Sequence, residues 1–233
     1  MMDSTRKSEF IGGFKATFPL VVGAVPFGII FGALSVNAGL SIKGTMGMSL
    51  FVFAGSSQFI AAGLLATGAS VGTIILTTFI VNLRHALYAT TLAPHMKYLS
   101  QKWLLPLGFW LTDETFLVSV QRYNQDDRSP YKHWFMFGSA IFMYTNWQIC
   151  TLIGVMTGSA ISDPAGWGLD FAMVATFIGM LVPMVKDRAI LGAICVAAVC
   201  ALILNGLPNQ IGLFSATLLG IMTGIFLERV SEK

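Results

Sequence analysis

Apolar stretches of about 20 residues, separated by short polar or charged segments, recur along the whole chain. That is the length an α-helix takes to cross a hydrocarbon core, so the pattern predicts about eight membrane spans. The first runs from about Ala16 to Val36 and carries Pro26 near its middle. Proline there removes a backbone hydrogen bond and clashes with the preceding turn, so a kink or break is expected. Freed carbonyls at that depth need protein or water as partners, which makes Pro26, Phe27 and Gly28 candidate lining residues; the competing reading is a kink used only for packing. The second span, about Gly44 to Ala66, is interrupted by Gly55, Ser56, Ser57 and Gln58. Small and hydroxyl residues serve either close helix contact or substrate binding, and the long Gln58 amide, which hydrocarbon cannot satisfy, favours binding or gating.

The third span, about Val71 to Ala93, places Thr78, Asn82 and His85 on one face and Arg84 on a neighbouring stripe with Thr77, Val81 and Tyr88. An ionisable group at bilayer depth costs at least about 2.5–3.5 kcal/mol and normally faces a protein interior or a wet cavity. The bland alternative is that Arg84 and His85 snorkel toward head groups. Pro94 is expected to end this helix and leave His95 and Lys97 in a loop. The fourth span, about Trp103 to Val120, holds Asp113 and Glu114 near its middle. One carboxylate is expected to pair with Arg84, since an unpaired buried charge is far more costly, and the other suits a proton-coupling site or a purely structural network.

Residues 121–132 form the most polar loop, separating two groups of four spans and offering the place for any loosely ordered segment. The fifth span, about Trp134 to Thr157, contains Asn146, Trp147 and Gln148, the amides being weaker site candidates. The sixth (167–185), seventh (189–204) and eighth (208–227) read as scaffold. Gly28 with Gly32, Gly154 with Gly158, and Gly220 with Gly224 have the spacing that lets helices approach closely. The first two pairs hint at a four-plus-four duplication, in which the halves share one orientation, whereas an inverted repeat needs an odd number of spans; both repeat models stay open.

Composition agrees with a membrane setting: of 233 residues, 55% are hydrophobic and 11% charged, against roughly 25% charged in soluble domains. The fold class expected is an all-α polytopic integral membrane protein whose first two spans are broken near mid-membrane. Its parts are a cytoplasmic segment 1–15, one transmembrane domain 16–227, the cytoplasmic loop 121–132 and a tail 228–233. Seven full spans with a re-entrant piece is the fallback. With eight spans, Arg6, Lys7, Lys15, Arg122, Arg128, Lys132, Lys186, Arg188, Arg229 and Lys233 share one side, and Lys43, Lys97 and Lys102 the other. The positive-inside rule then puts both termini in the cytoplasm.

Cys150, Cys195 and Cys200 lie in apolar segments without metal spacing and read as buried small hydrophobes. No metal or cofactor is expected. Basic residues lie singly or in pairs, which argues against nucleic acid, and the chain lacks a paired-His motif, a nucleophile elbow and a phosphate loop, which argues against an enzyme.

The blocks VPFGIIFGALSVNAG, FAGSSQFIAAGLLATGAS, VNLRHALYATTLAP, LTDETF, NWQICTLIGVMTG and LDFAMVATFIGMLVP, in this order and spacing, resemble the AzlC-like (azaleucine-resistance) family. The resemblance covers about Gly12 to Gly224, and VNLRHALY followed by LTDE is its most specific part. It implies the large subunit of a bacterial inner-membrane exporter of valine, leucine, isoleucine and related apolar amino acids such as methionine, driven by protons. It also implies a small AzlD-like membrane partner of about four spans. No residue roles come with it.

From the residues themselves, the expected mechanism is a secondary transporter. The broken stretches and the polar arc of the third span form a midplane cavity; helix ends contact the zwitterion, Phe27 and Phe59 receive an apolar side chain, and Asp113 or Glu114 exchanges the proton. The alternative is a channel, or a structural or regulatory subunit whose charges only hold helices together.

Overall fold

The computed structural model describes residues 5–127, 129–158, 178, 181, 182, 185, 187–207 and 211–231. The described residues are helical with short connections. Two compact units emerge, Met1–Asp170 and Phe171–Lys233. The sixth expected span, with Pro183, lies almost wholly outside the described residues.

In the first unit, α1 (Arg6–Asn37) starts with a reciprocal cap between Thr5 and Ser8, well before the apolar run begins. It then continues through both Pro19 and Pro26, so the expected break in the first span is absent. An interior proline costs about 3 kcal/mol; what offsets it is contact with α7 (Lys132–Thr157) on both sides of Pro26. Below it the Thr17 and Ser139 hydroxyls hydrogen-bond at 2.6 Å, and above it Gly28 lies against Cys150 and Gly32 against Thr151.

Those contacts rise together along both helices, so α1 and α7 run parallel. Their backbones meet through reciprocal glycines. A Cβ on Gly13 would strike the Phe135 carbonyl and one on Gly138 the Phe10 carbonyl; Gly32 and Gly154 stand in the same relation to Thr151 and Ile29. The two GxxxG pairs of the first and fifth spans thus face one another. Gly154→Val is expected to cost about 1–3 kcal/mol or more through overpacking. Thermal unfolding in detergent measures it.

Between α1 and α7 the chain makes two broken pairs and one long helix. First come α2 (Ile42–Phe51) and α3 (Gly55–Ala66), then α4 (Val71–Met96), then α5 (Gln101–Phe109) and α6 (Asp113–Tyr123). Helix α4 includes Pro94 and His95, so the proline does not end it: in the last turn its missing N–H breaks one bond, and the backbone stays helical for two residues more.

Side-chain contacts fix the directions. Arg84 and Tyr88 meet the start of α6 at Asp113, and Leu92 and Met96 cluster with Tyr123, near the end of α6, and with Met136 of α7. Arg122 of α6 in turn holds Glu9 at the start of α1. The end of α4 therefore lies with the starts of α1 and α7, and α4 runs antiparallel to both. From that end α5 runs inward beside α7, with Trp103 against Trp134 and Trp110 against Tyr144, and α6 returns. From the opposite end α2 runs inward, and α3 returns to the start of α4.

Each broken pair turns back midway along α7, at Tyr144. The helix expected across 103–120 is thus interrupted at 110–112, and the one across Gly44–Ala66 at 52–54. The signal in the sequence was LTDE, which places a threonine cap and two acidic residues where a helix starts: Thr112 accepts from the Thr115 N–H at 3.3 Å. The plan is a long helix, a four-residue link, a short helix, a three-residue break and a short helix, twice over in opposite directions. It moves Lys97 and Lys102 to the end that holds Arg6, Arg122 and Lys132.

At that end the chain is tightly tied. Glu9, 5% exposed, takes both guanidinium nitrogens Nε and Nη2 of Arg122 and the Ser129 hydroxyl at 2.7 Å. Asp127 bridges Arg122 and Lys132 at 2.9 Å each. The loop expected to be loosely ordered thus carries an ion-pair network in its described residues, and Arg128 lies outside them. Hydrogen bonds from Arg122 and Lys132 hold the Asp127 carboxyl down to about 2. A depressed carboxyl contributes stability in full above its ordinary value of 3.8, and that contribution is lost as pH falls through about 2. Asp127→Asn is expected to remove this acid-side dependence, read from unfolding in detergent between about pH 4 and 2.

The second unit contains α8 (Arg188–Ile203), capped by Asp187, and α9 (Ile211–Ser231). They pack as an antiparallel hairpin through Gly192, Gly220 and Gly224, against Leu227, Ala197 and Ala193 respectively. Cys195 is exposed and Cys200 half-exposed, so only Cys150 is the buried small hydrophobe expected.

Candidate functional site

The two breaks converge on one residue of α7. Tyr144 donates its hydroxyl to the Leu50 carbonyl at 3.1 Å and stacks edge-on with Phe53 at 4.8 Å, both from the first break. Its ring also meets Phe109 at 6.3 Å and Trp110 at 5.8 Å from the second. One turn on, Gln148 donates to the Ser49 carbonyl at 2.9 Å, and Thr151 shares a 3.0 Å hydrogen bond with the Ser49 hydroxyl. A helix end leaves its last carbonyls without intrahelical partners, so this face of α7 satisfies what the end of α2 frees. Phe53 itself sits at φ +42°, a left-handed conformation costing roughly 1–2 kcal/mol for such a residue.

Past the first break, α3 begins at Gly55. Its first backbone bond runs from the Gln58 N–H to the Ala54 carbonyl, so the N–H groups of Gly55, Ser56 and Ser57 lie ahead of the ladder, and among the described residues no side chain caps them. Ser57 turns its hydroxyl onto the Ala54 carbonyl. Gln58 is 0% exposed, and neither its amide nitrogen nor its oxygen has a partner among the described residues. Phe27 and Phe31 of α1 stand edge-on to Phe59 at 6.3 and 5.9 Å. Trp147 lies over Gly55, where a Cβ would sit 3.1 Å from its ring. The structure thus gathers Gly55, Gln58, Phe59 and Phe27, whereas Pro26 and Gly28 lie within unbroken helix, Gly28 packed on Cys150.

Past the second break, Arg84 pairs with Asp113 at 3.2 Å, both about a quarter exposed, and Tyr88 donates to the other Asp113 oxygen at 2.5 Å. Tyr88 stacks on Phe116 at 4.3 Å and meets His85 edge-on at 5.8 Å. His85 Nδ1 lies 3.1 Å from the Asn82 carbonyl, while the Asn82 side-chain oxygen and Arg84 Nε have no partner among the described residues. Glu114 is half-buried beside Thr112 and Asp113. Tyr88, Tyr144 and Trp147 were missed as site residues, since an aromatic on an apolar helix reads as core until its neighbours are known. Among the described residues no group of His, Cys, Asp and Glu is arranged to hold a metal ion.

The AzlC protein family matches residues 19–161, a stretch holding both breaks and all of the residues just described. The chain belongs to the AzlC family. It is 34% identical to an uncharacterized membrane protein of Helicobacter pylori (strain 26695) over 82% of this chain and 86% of the relative. It is 30% identical to the inner membrane protein YgaZ of Escherichia coli K12, over 93% and 88%, and 30% identical to the branched-chain amino acid transport protein AzlC of Bacillus subtilis 168, over 73% and 66%. No solved structure matches. For this AzlC-family chain, membrane residence agrees with α1 and α4, each long and apolar enough to span a bilayer.

Proposed function

We propose that this chain is a secondary transporter that exports branched-chain and similar apolar amino acids across the bacterial inner membrane, coupled to protons, as the large subunit of a two-component exporter. The observation that carries the reading is the meeting of two oppositely entering broken pairs at Tyr144. Half-helices that end midway leave polar backbone there, which is how inverted-repeat carriers build a site near the bilayer midplane. The Bacillus subtilis relative's name supplies the substrate class. In a bilayer, α1, α4 and α7 cross, the broken pairs are re-entrant, and the end rich in Arg and Lys faces the cytoplasm.

Substrate sits at the first break, with Gly55, Ser56, Ser57, Gln58, Phe27 and Phe59, while Asn82 and His85 extend the polar arc from α4. Arg84, Asp113 and Glu114 form the charge network that couples the proton. The test is efflux of labelled valine from loaded cells expressing the chain with a small AzlD-like membrane protein, under a set pH gradient. Gln58→Ala is expected to reduce export at least tenfold, since it removes a buried amide placed for substrate. Normal proton-coupled export by Gln58→Ala, Arg84→Ala, Asp113→Asn and Glu114→Gln alike would overturn the site. A second reading, a channel or structural subunit, draws on the pairing of Asp113 with both Arg84 and Tyr88; it predicts flux indifferent to the gradient, or none.

A further inference from the structure

The repeated plan gives two helix starts in equivalent positions with opposite chemistry. Helix α6 supplies its own anions: Asp113 and Glu114 occupy its first turn and Thr112 caps it. Helix α3 has Ala54, Gly55, Ser56 and Ser57 at the same place, with no acid in its first turn and no side-chain cap among the described residues. A helix start carries about half a positive charge and free N–H donors, so an anion is favoured there.

The surrounding side chains point the same way. Trp147 is 7% exposed, its ring abuts Gly55, and its indole N–H, two bonds from the Cζ2 atom that lies near Gly55, has no acceptor among the described residues. An indole N–H only donates. The Ser56 hydroxyl and the whole Gln58 amide are likewise buried without partners. Phe27, Phe31 and Phe59 form an aromatic wall beside them, with Phe31 stacked on Trp147 at 6.3 Å.

We infer that the start of α3 and the Trp147 indole form a carboxylate-binding site, which seats a small acid by its carboxylate with an apolar tail against Phe27, Phe31 and Phe59. This rests on the transport reading and sharpens it: the carboxylate is the group by which substrate is held, and the ammonium is secondary. Gly55 admits the carboxylate and the indole together, because any side chain there meets the Trp147 ring.

The experiment is competition against labelled leucine flux in vesicles carrying the native chain with the small membrane protein, using leucinol, which lacks the carboxylate, and 4-methylpentanoate, which lacks the amine. The carboxylate compound is expected to inhibit at least tenfold more strongly than leucinol, from loss of donors to a charged group. Trp147→Phe keeps the ring and removes the donor; half-saturation for leucine should rise about tenfold while the weak inhibition by leucinol stays unchanged. A merely structural role would alter both. Leucinol competing as well as leucine, or Trp147→Phe leaving leucine half-saturation unchanged, would overturn the carboxylate site and leave transport standing. Absence of leucine flux in the native chain would overturn the transport reading and this site with it.

Discussion

Asp113→Asn is expected to abolish the dependence of valine export on an imposed pH gradient and to cut export itself by about tenfold to a hundredfold. The carboxylate is held by the Arg84 guanidinium at 3.2 Å and the Tyr88 hydroxyl at 2.5 Å, and hydrogen bonds to charged groups are worth about 1.5–3 kcal/mol each. Removing one partner of such a pair strands the other's charge. Arg84 already has an Nε without a partner among the described residues, so the loss falls on a group with little to replace it. The informative variant is the double neutral one, Arg84→Gln with Asp113→Asn. If the pair serves only to hold α4 to α6, removing both charges should restore the yield of folded protein and the export rate together. As a coupling element it should restore folding while export stays uncoupled from the proton gradient. A double-mutant cycle on folding and flux measures the two separately.

Glu9→Gln is expected to destabilise the first unit by about 3 kcal/mol, because it leaves a buried Arg122 with the half-exposed Asp127 as its remaining anionic partner. Arg122 Nε donates to Glu9 at 2.9 Å and Nη2 closes the second arm of the fork. The bidentate pair joins the start of α1 to the end of α6, and Asp127 links it to the start of α7 through Lys132. Replacing both residues by apolar ones of similar size, Glu9→Leu with Arg122→Met, should recover most of the loss, as isosteric replacement of buried pairs does. Thermal unfolding of the detergent-purified chain gives the comparison; a Glu9→Gln variant as stable as the native chain would remove this pair from the account of how that end is closed.

These two pairs sit at opposite ends of α6, about 14 Å apart along its axis. Helix α6 follows a break at 110–112 and is held by an ion pair at each end. Its inner face is lined by small polar residues, Thr115 and Ser119, both fully buried. Such residues allow close approach without tying the helix down through large interlocking side chains.

The linear chain was enough to establish an all-helical protein, because hydrophobic length and scarcity of charge are local properties that lipid and helix geometry translate directly into spans. It also marked Arg84, Asp113, Glu114 and Gln58, since a polar group inside an apolar run is conspicuous wherever it ends up. It marked an interruption at Gly55 to Gln58, whereas the helix is broken just before, at 52–54, and Gly55 starts α3. What it did not decide was whether a proline breaks a helix: Pro26 is carried intact because α7 grips α1 above and below it, a contact more than 120 residues away in sequence. Nor did it decide direction. A short apolar helix that turns back and one that goes through have the same composition, and only the meetings of Arg122 with Glu9, and of Trp110 and Phe53 with Tyr144, show that α2–α3 and α5–α6 enter from opposite ends. The inverted plan, and with it the contrast between an acid-filled helix start and an open one, is a property of how distant segments pack, and packing is where the short-range code of helix and span stops.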